Sequence, residues 1–108
     1  YHLSHLDFRA GRITVPRREL PIGRKVRVRI HARDVSLTRE RQEGTSILNI
    51  FPARVEEVGD LDAARLLVRL DAGGEPLLAA ITRKSAELLE VAPGRELYAQ
   101  VKSVALVE

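Results

Sequence analysis

Two stretches of this chain hold residue types suited to gripping a small anion: Ile81-Thr82-Arg83-Lys84-Ser85 and Ala99-Gln100-Val101-Lys102-Ser103. Between them they offer hydroxyls, a helix start and an ammonium. A helix start leaves backbone N–H groups unpaired and carries partial positive charge. An anion set there is held without a special side chain. With Thr82 as N-cap, Ser85 falls at the third helical position, so its hydroxyl and the amides of Lys84 and Ser85 can converge on one point. Lys102 and Ser103 would add an ammonium and a hydroxyl, and Ser46 one more hydroxyl. Such a set suits a tetrahedral dianion, whose lost hydration must be replaced by fixed dipoles and partly offset by one cation. A plain reading also exists, in which Thr82 only caps the helix and Lys102 and Ser103 lie on a solvated strand face.

The elements that must position these residues read mostly as strands. His2 to Val15 has the pattern of a hairpin turning at Ala10-Gly11, with Leu6 and Phe8 leading in and Ile13 and Val15 leading out. Pro16 and Pro21-Ile22-Gly23 break it. Lys25 to Arg33 alternates, predicting a strand with Val26, Val28, Ile30 and Ala32 on a buried face and Arg27, Arg29, His31 and Arg33 on a wet one. Thr38 to Gly44 is polar and reads as a linker. Ile47 to Val58 is a second strand, interrupted near Pro52. Gly59-Asp60-Leu61-Asp62 is turn chemistry. Arg65 to Leu70 and Leu77 to Ile81 pair around Asp71-Ala72-Gly73-Gly74, where glycine accepts the positive φ of a tight reversal. One helix, Arg83 to Leu89, ends ahead of Pro93-Gly94. Glu96 to Val107 closes the chain as one long strand. The prediction is an all-β fold: a small Greek-key barrel of the OB type with one short helix. Residues 1–43 form an N-terminal β segment that shares or extends the barrel, and residues 44–108 form the barrel proper.

The motifs also carry a resemblance. Arg29 to Leu37, Thr45-Ser46-Ile47-Leu48-Asn49, Ile81 to Ser85, Pro93-Gly94 and Tyr98 to Leu106 occur in the order seen in the molybdate-binding Mop module. That module is found in the C-terminal regulatory (TOBE/Mop) region of the ATP-binding subunit of molybdate-importing ABC transporters, which this chain resembles from Val26 onward. The resemblance implies molybdate or tungstate as bound ligand, with no metal ligated directly by protein. It implies Ser46, Thr82, Lys84, Ser85, Lys102 and Ser103 as binding residues. It implies a homodimer in which Ser46 comes from a different copy than Thr82, Ser85, Lys102 and Ser103. The ATPase domain and membrane permease of the same transporter are the implied partners, joined through the front segment. The implied place is the cytoplasm, at the inner face of the cell membrane. The implied task is to sense intracellular oxyanion and inhibit transport. Small Mop storage proteins carry Ser-Ala-Arg-Asn where this chain has Ser46-Ile47-Leu48-Asn49, so a cationic ligand is missing and the transporter version is favoured over storage or transfer.

Bulk properties bound the alternatives. The chain has 108 residues, 44% of them apolar and only 4% aromatic, and no cysteine. That length gives one thin-cored domain, which a second copy would help stabilise. Without cysteine there is no disulfide or thiolate metal site. No apolar run approaches the roughly 20 residues of a membrane span, and no signal peptide is visible. The chain opens on Tyr1 rather than methionine, so a piece of a longer protein is expected. Residues 1–43 hold eleven Lys/Arg and five Asp/Glu, a charge of +6, whereas residues 44–108 carry −3. A basic barrel strand could suit nucleic acid, a reading from a different class. Single-strand binders stack bases on aromatic side chains, and the aromatics Tyr1, Phe8, Phe51 and Tyr98 all lie outside the arginine strand. No nucleic-acid partner is therefore expected. His2 and His5 lack a third ligand for zinc. No Walker glycine loop or base-paired serine is present, so no enzymatic activity is expected of this chain.

Overall fold

Hydrophobic side chains recur at every second residue along three long stretches, and these become the strands that build the core. The computed structural model describes residues 3–8, 11–17 and 22–107. In chain order the strands are β1 (Leu3–Phe8), β2 (Gly11–Pro16), β3 (Arg27–Arg29), β4 (Val35–Thr38), β5 (Asn49–Asp60), β6 (Arg65–Ala72), β7 (Glu75–Thr82), β8 (Glu96–Val101) and β9 (Ala105–Val107). One helix, α1 (Arg83–Leu89), follows β7, and a 3-10 turn (Ala32–Asp34) precedes β4.

Five strands form one antiparallel sheet in the order β4-β8-β5-β6-β7. β5 is long enough to serve two neighbours. Its first half pairs with β8 and its second half with β6. A bulge between Val55 and Glu57 lies where the strand turns from one task to the other, and bulges bend strands and increase twist. The sheet curls until β7 packs back against β4 and the 3-10 turn. The expected OB-type barrel is therefore present, with α1 crossing between β7 and β8.

The core rests on aliphatic side chains: Val55, Val68, Leu70, Ala79, Ala99 and Val101 are at most 1% exposed. The front hairpin of β1 and β2 is packed onto this core through Ile13 and Val15. Phe8 meets Phe51 edge-on, with ring centroids 5.3 Å apart. Asn49 fixes the hairpin from the barrel side. Its Oδ1 accepts from the Thr14 N–H at 2.7 Å, and its Nδ2 donates to the Thr14 carbonyl at 2.8 Å. Asn49 is only 7% exposed, so both groups are satisfied out of water.

Several sequence expectations meet a different outcome. The Lys25–Arg33 strand shrinks to Arg27–Arg29 before the 3-10 turn, and Val28 is exposed beside its arginines. β3 pairs only with the three residues of β9, so no buried face covers it. β5 runs through Pro52 without a break, because Pro52 lies where β5 has β8 as its only strand neighbour and no second ladder needs its N–H. Glu96–Val107 is two strands rather than one. β8 pairs with β4 and β5, β9 pairs with β3, and residues 102–104 break between them. The predicted turn at Ala10-Gly11 includes Ala10, and the break at Pro21 and the histidine His2 also lie outside the described residues.

Candidate functional site

Thr82 ends β7 in extended conformation and caps α1, accepting from the Ser85 N–H at 3.0 Å. The two hydroxyls also bond each other, Thr82 Oγ1 donating to Ser85 Oγ at 2.9 Å. This leaves the Ser85 hydroxyl hydrogen free to point elsewhere. Arg83 holds the helix start from outside. Its N–H donates to the Ala64 carbonyl at 3.0 Å, and its guanidinium reaches the Ala63 carbonyl at 3.0 Å and Asp60 at 2.8 Å. The far end of α1 turns through Glu90, in the left-handed region at φ 55°. Arg39 donates to the carbonyl of Leu88 in the last turn.

Thr82 and Ser85 face an open cleft of about 470 Å³, formed where β7 and α1 meet β4 and the 3-10 turn. Arg33 and Ser36 line the opposite wall, with Leu88 and Leu89 at the helix side. Ser36 Oγ donates to Gln100 Oε1 at 3.0 Å. Gln100 is buried on β8 between Ser36 and Ile50. Lys102 and Ser103 are exposed and lie in the break after β8, not on a strand. The Lys102 N–H donates to the Asp34 carbonyl at 2.8 Å, which ties that segment to the residue beside Arg33. Ser46 is exposed in irregular chain ahead of β5, not in the strand itself. Lys84 is exposed on α1 and does not line the cleft.

Of the six sequence-predicted residues, then, Thr82 and Ser85 share one cleft. Lys102 and Ser103 do not line it; the Lys102 backbone is bonded to Asp34, next to the lining residue Arg33. Ser46 leads into Asn49, which pairs with Val101 just before Lys102. Sequence reasoning overlooked Arg33 and Ser36 as part of this wall. They fell within the Arg29–Leu37 motif, but only the curl of the sheet brings them opposite Thr82.

A larger cleft of about 880 Å³ opens elsewhere, between the front hairpin, β3 and the β6–β7 hairpin. Its walls include Leu6, Phe8, Ile30, Phe51 and Leu77. Asp7, Arg27, Arg29, Arg69 and Glu75 also line it, but none of the six sequence-predicted residues does; Thr82 and Ser85 line the smaller cleft, which is therefore the candidate site. Among the described residues, no group of three or more His, Asp or Glu is arranged to hold a metal ion, and no helix is long and apolar enough to cross a membrane.

Known proteins share both the sequence and the fold. The TOBE domain family matches residues 45–107. The molybdenum import ATP-binding protein ModC 1 of Azotobacter vinelandii is 51% identical over 99% of this chain and 30% of its own length. The ModC of Methylococcus capsulatus is 50% identical over the whole chain and 31% of its own length. This chain thus spans about a third of the curated relatives it matches. Among solved structures, the cytoplasmic molybdate-binding protein ModG, in a form with molybdate bound, aligns with a TM-score of 0.72. That alignment covers 82% of this chain and 64% of ModG at 23% identity, a likeness of fold. A molybdate binding protein from Sporomusa ovata aligns with a TM-score of 0.52, covering 56% of this chain and 90% of its own, at 31% identity. With its family model covering nearly the whole barrel, the chain belongs to the TOBE domain family.

Proposed function

We propose that this domain binds molybdate or tungstate and regulates a molybdate-importing ATP-binding subunit of which it forms part. On this reading residues 44–108 are the oxyanion-binding barrel, and residues 1–43 join it to the rest of the subunit at the cytoplasmic face of the membrane. The ATP-hydrolysing portion belongs to the two-thirds of the relatives that this chain does not span. The binding set is Ser46, Thr82, Ser85, Lys102 and Ser103 with the backbone amide of Lys84. The carrying observation is that Thr82 and Ser85, bonded to each other, face a cleft whose opposite wall holds Arg33 and Ser36, with the Lys102 backbone bonded to Asp34 beside Arg33. The names of the relatives and fold neighbours supply the ligand class.

Mechanistically, the open cleft leaves an anion half enclosed, and a second copy would complete the enclosure. Binding then favours the arrangement in which two copies close on each other, in proportion to the difference in affinity between the two arrangements. In the transporter that closure would inhibit import.

Calorimetry of the domain with molybdate, tungstate, sulfate and a single-stranded oligonucleotide tests the reading. Heat is expected for the first two alone, with a larger sedimenting species when anion is present. Binding of oligonucleotide only would refute it. Lys102→Ala and Ser85→Ala should each weaken tungstate by about 1.5–3 kcal/mol, the loss of one charged hydrogen bond. Undiminished affinity in both variants would place the site elsewhere.

A further inference from the structure

We infer that Arg33 supplies a second positive charge to the bound oxyanion, an assignment that rests on the molybdate-binding reading above. A dianion needs more compensation than one ammonium gives. Lys102 is one cation. Leu48 is exposed and apolar, Lys84 does not line the cleft, and Lys102 stands on a segment beside it rather than in its lining. Arg33 does line it, and it is the only charged side chain among the described residues that does.

Three further observations favour it. First, the guanidinium is uncommitted. Arg12, Arg54, Arg65, Arg69 and Arg83 pair with carboxylates, whereas Arg33 makes no side-chain hydrogen bond or ion pair among the described residues. The neighbouring carboxylate, Asp34, does not line the cleft. Second, its backbone is held. The 3-10 turn is closed by the Asp34 N–H on the His31 carbonyl at 2.9 Å and by Lys102 on the Asp34 carbonyl at 2.8 Å. Arg33 and Lys102 thus stand on stretches of backbone bonded to each other. Third, the hydroxyls are largely spent. Ser36 donates to Gln100 and Thr82 donates to Ser85, so only Ser85 keeps a free hydroxyl hydrogen among the three. A guanidinium offers five N–H donors in a planar fork and is weakly hydrated, which suits it to fill that deficit. Arg33 is therefore an anion ligand rather than a solvated surface charge or a contact to another domain.

The test is tungstate calorimetry on the wild-type chain and Arg33→Gln across a series of salt concentrations. Arg33→Gln should bind roughly tenfold or more weakly at low salt, as for loss of a hydrogen bond to a charged group. Its affinity should also fall less steeply with added salt, because one fewer cation is screened. Its melting temperature should match wild type, since the side chain is exposed. Unchanged affinity in Arg33→Gln would overturn the assignment while leaving the molybdate reading intact. So would a weakened affinity with the wild-type salt slope, which would mean a geometric role. Failure of the wild-type chain to bind tungstate would remove the underlying reading and this inference together.

Discussion

Asn49→Ala should be among the most damaging polar substitutions in the molecule, although Asn49 lines neither cleft. The side chain joins the front hairpin to the barrel through two hydrogen bonds, at 2.7 and 2.8 Å, to both polar groups of Thr14. Removing it strands one N–H and one carbonyl at a half-buried site. Each unsatisfied group costs about 1–3 kcal/mol when water cannot reach it, against a net 0.5–1.5 for an ordinary bond. Thr14 is only partly covered, so water recovers some of that, and a loss of about 2–4 kcal/mol is expected. For a domain of this size, that corresponds to a fall in melting temperature of roughly 10 °C or more. Urea denaturation of wild type and Asn49→Ala measures the loss directly. Asn49→Asp separates bonding from packing. It keeps the acceptor for the Thr14 N–H but sets a carboxylate against the Thr14 carbonyl. Its deficit relative to wild type should shrink below about pH 4, where a protonated carboxyl can donate. A loss under about 0.5 kcal/mol in Asn49→Ala, the level of an ordinary surface change, would mean that the hairpin is held by apolar packing through Ile13, Val15 and Phe8 and not by these hydrogen bonds.

Two further outcomes follow from the turn that backs α1. Arg83→Met should destabilise by about 1–2 kcal/mol, because the Ala63 and Asp62 carbonyls and the Asp60 carboxylate lose the guanidinium donor, whereas Asp60→Asn should cost under about 0.5 kcal/mol, since that pair is largely solvent-screened. Equal losses in denaturation would mean the ion pair, not the carbonyl bonds, does the holding. The Arg65 guanidinium holds the Asp62 carboxyl below its ordinary value of 3.8; desolvation, the next-largest effect, opposes it, and the Ala64 and Arg65 N–H groups add to the lowering. A depressed carboxylate supports the fold at and above its ordinary range, and that support is lost only as pH falls through the lowered value. Carboxyl-carbon NMR titration should find Asp62 titrating below its ordinary value, and Arg65→Gln should move it back up; an ordinary titration in wild type would refute the hydrogen-bond assignment.

Local signals were the readable part of this sequence. Gly73 and Gly74 adopt φ of 61° and 95°, and the strands on either side pair from Ala72↔Glu75 to Arg65↔Thr82, as the turn chemistry predicts. Thr82 caps the Arg83–Leu89 helix as its position implies. The misreadings are all set by distant partners. Nothing in Gln100-Val101-Lys102-Ser103 announces a strand break, because the break lets the chain leave β4 and β5 at the end of β8 and meet β3 as β9. Val28 looks buried by alternation, yet no element covers β3. Arg33 looks like one more arginine on a wet strand until the sheet closes and sets it across from Thr82. Ser46 to Asn49 shows a related effect. The hydroxyl proposed for binding stays exposed, while the amide three residues on is buried and structural.

That division bears on why anion binding and self-association should be linked on the proposed reading. A tetrahedral dianion presents four oxygens. In one copy the cleft offers one uncommitted hydroxyl, one guanidinium and the nearby Lys102–Ser103 segment, with its mouth open to water. An open mouth keeps the local dielectric high, so each charged contact gains little over hydration. Covering it with a second copy both supplies donors such as the exposed Ser46 and excludes water, strengthening every contact already present. Apparent affinity should therefore rise with protein concentration, since a ligand that favours the associated form shifts that equilibrium by mass action. Tungstate isotherms recorded at widely separated protein concentrations provide the check. Superposable curves, scaled per protomer, would show that a single copy encloses the ion unaided, and the regulatory closure would then have to be driven from outside this domain.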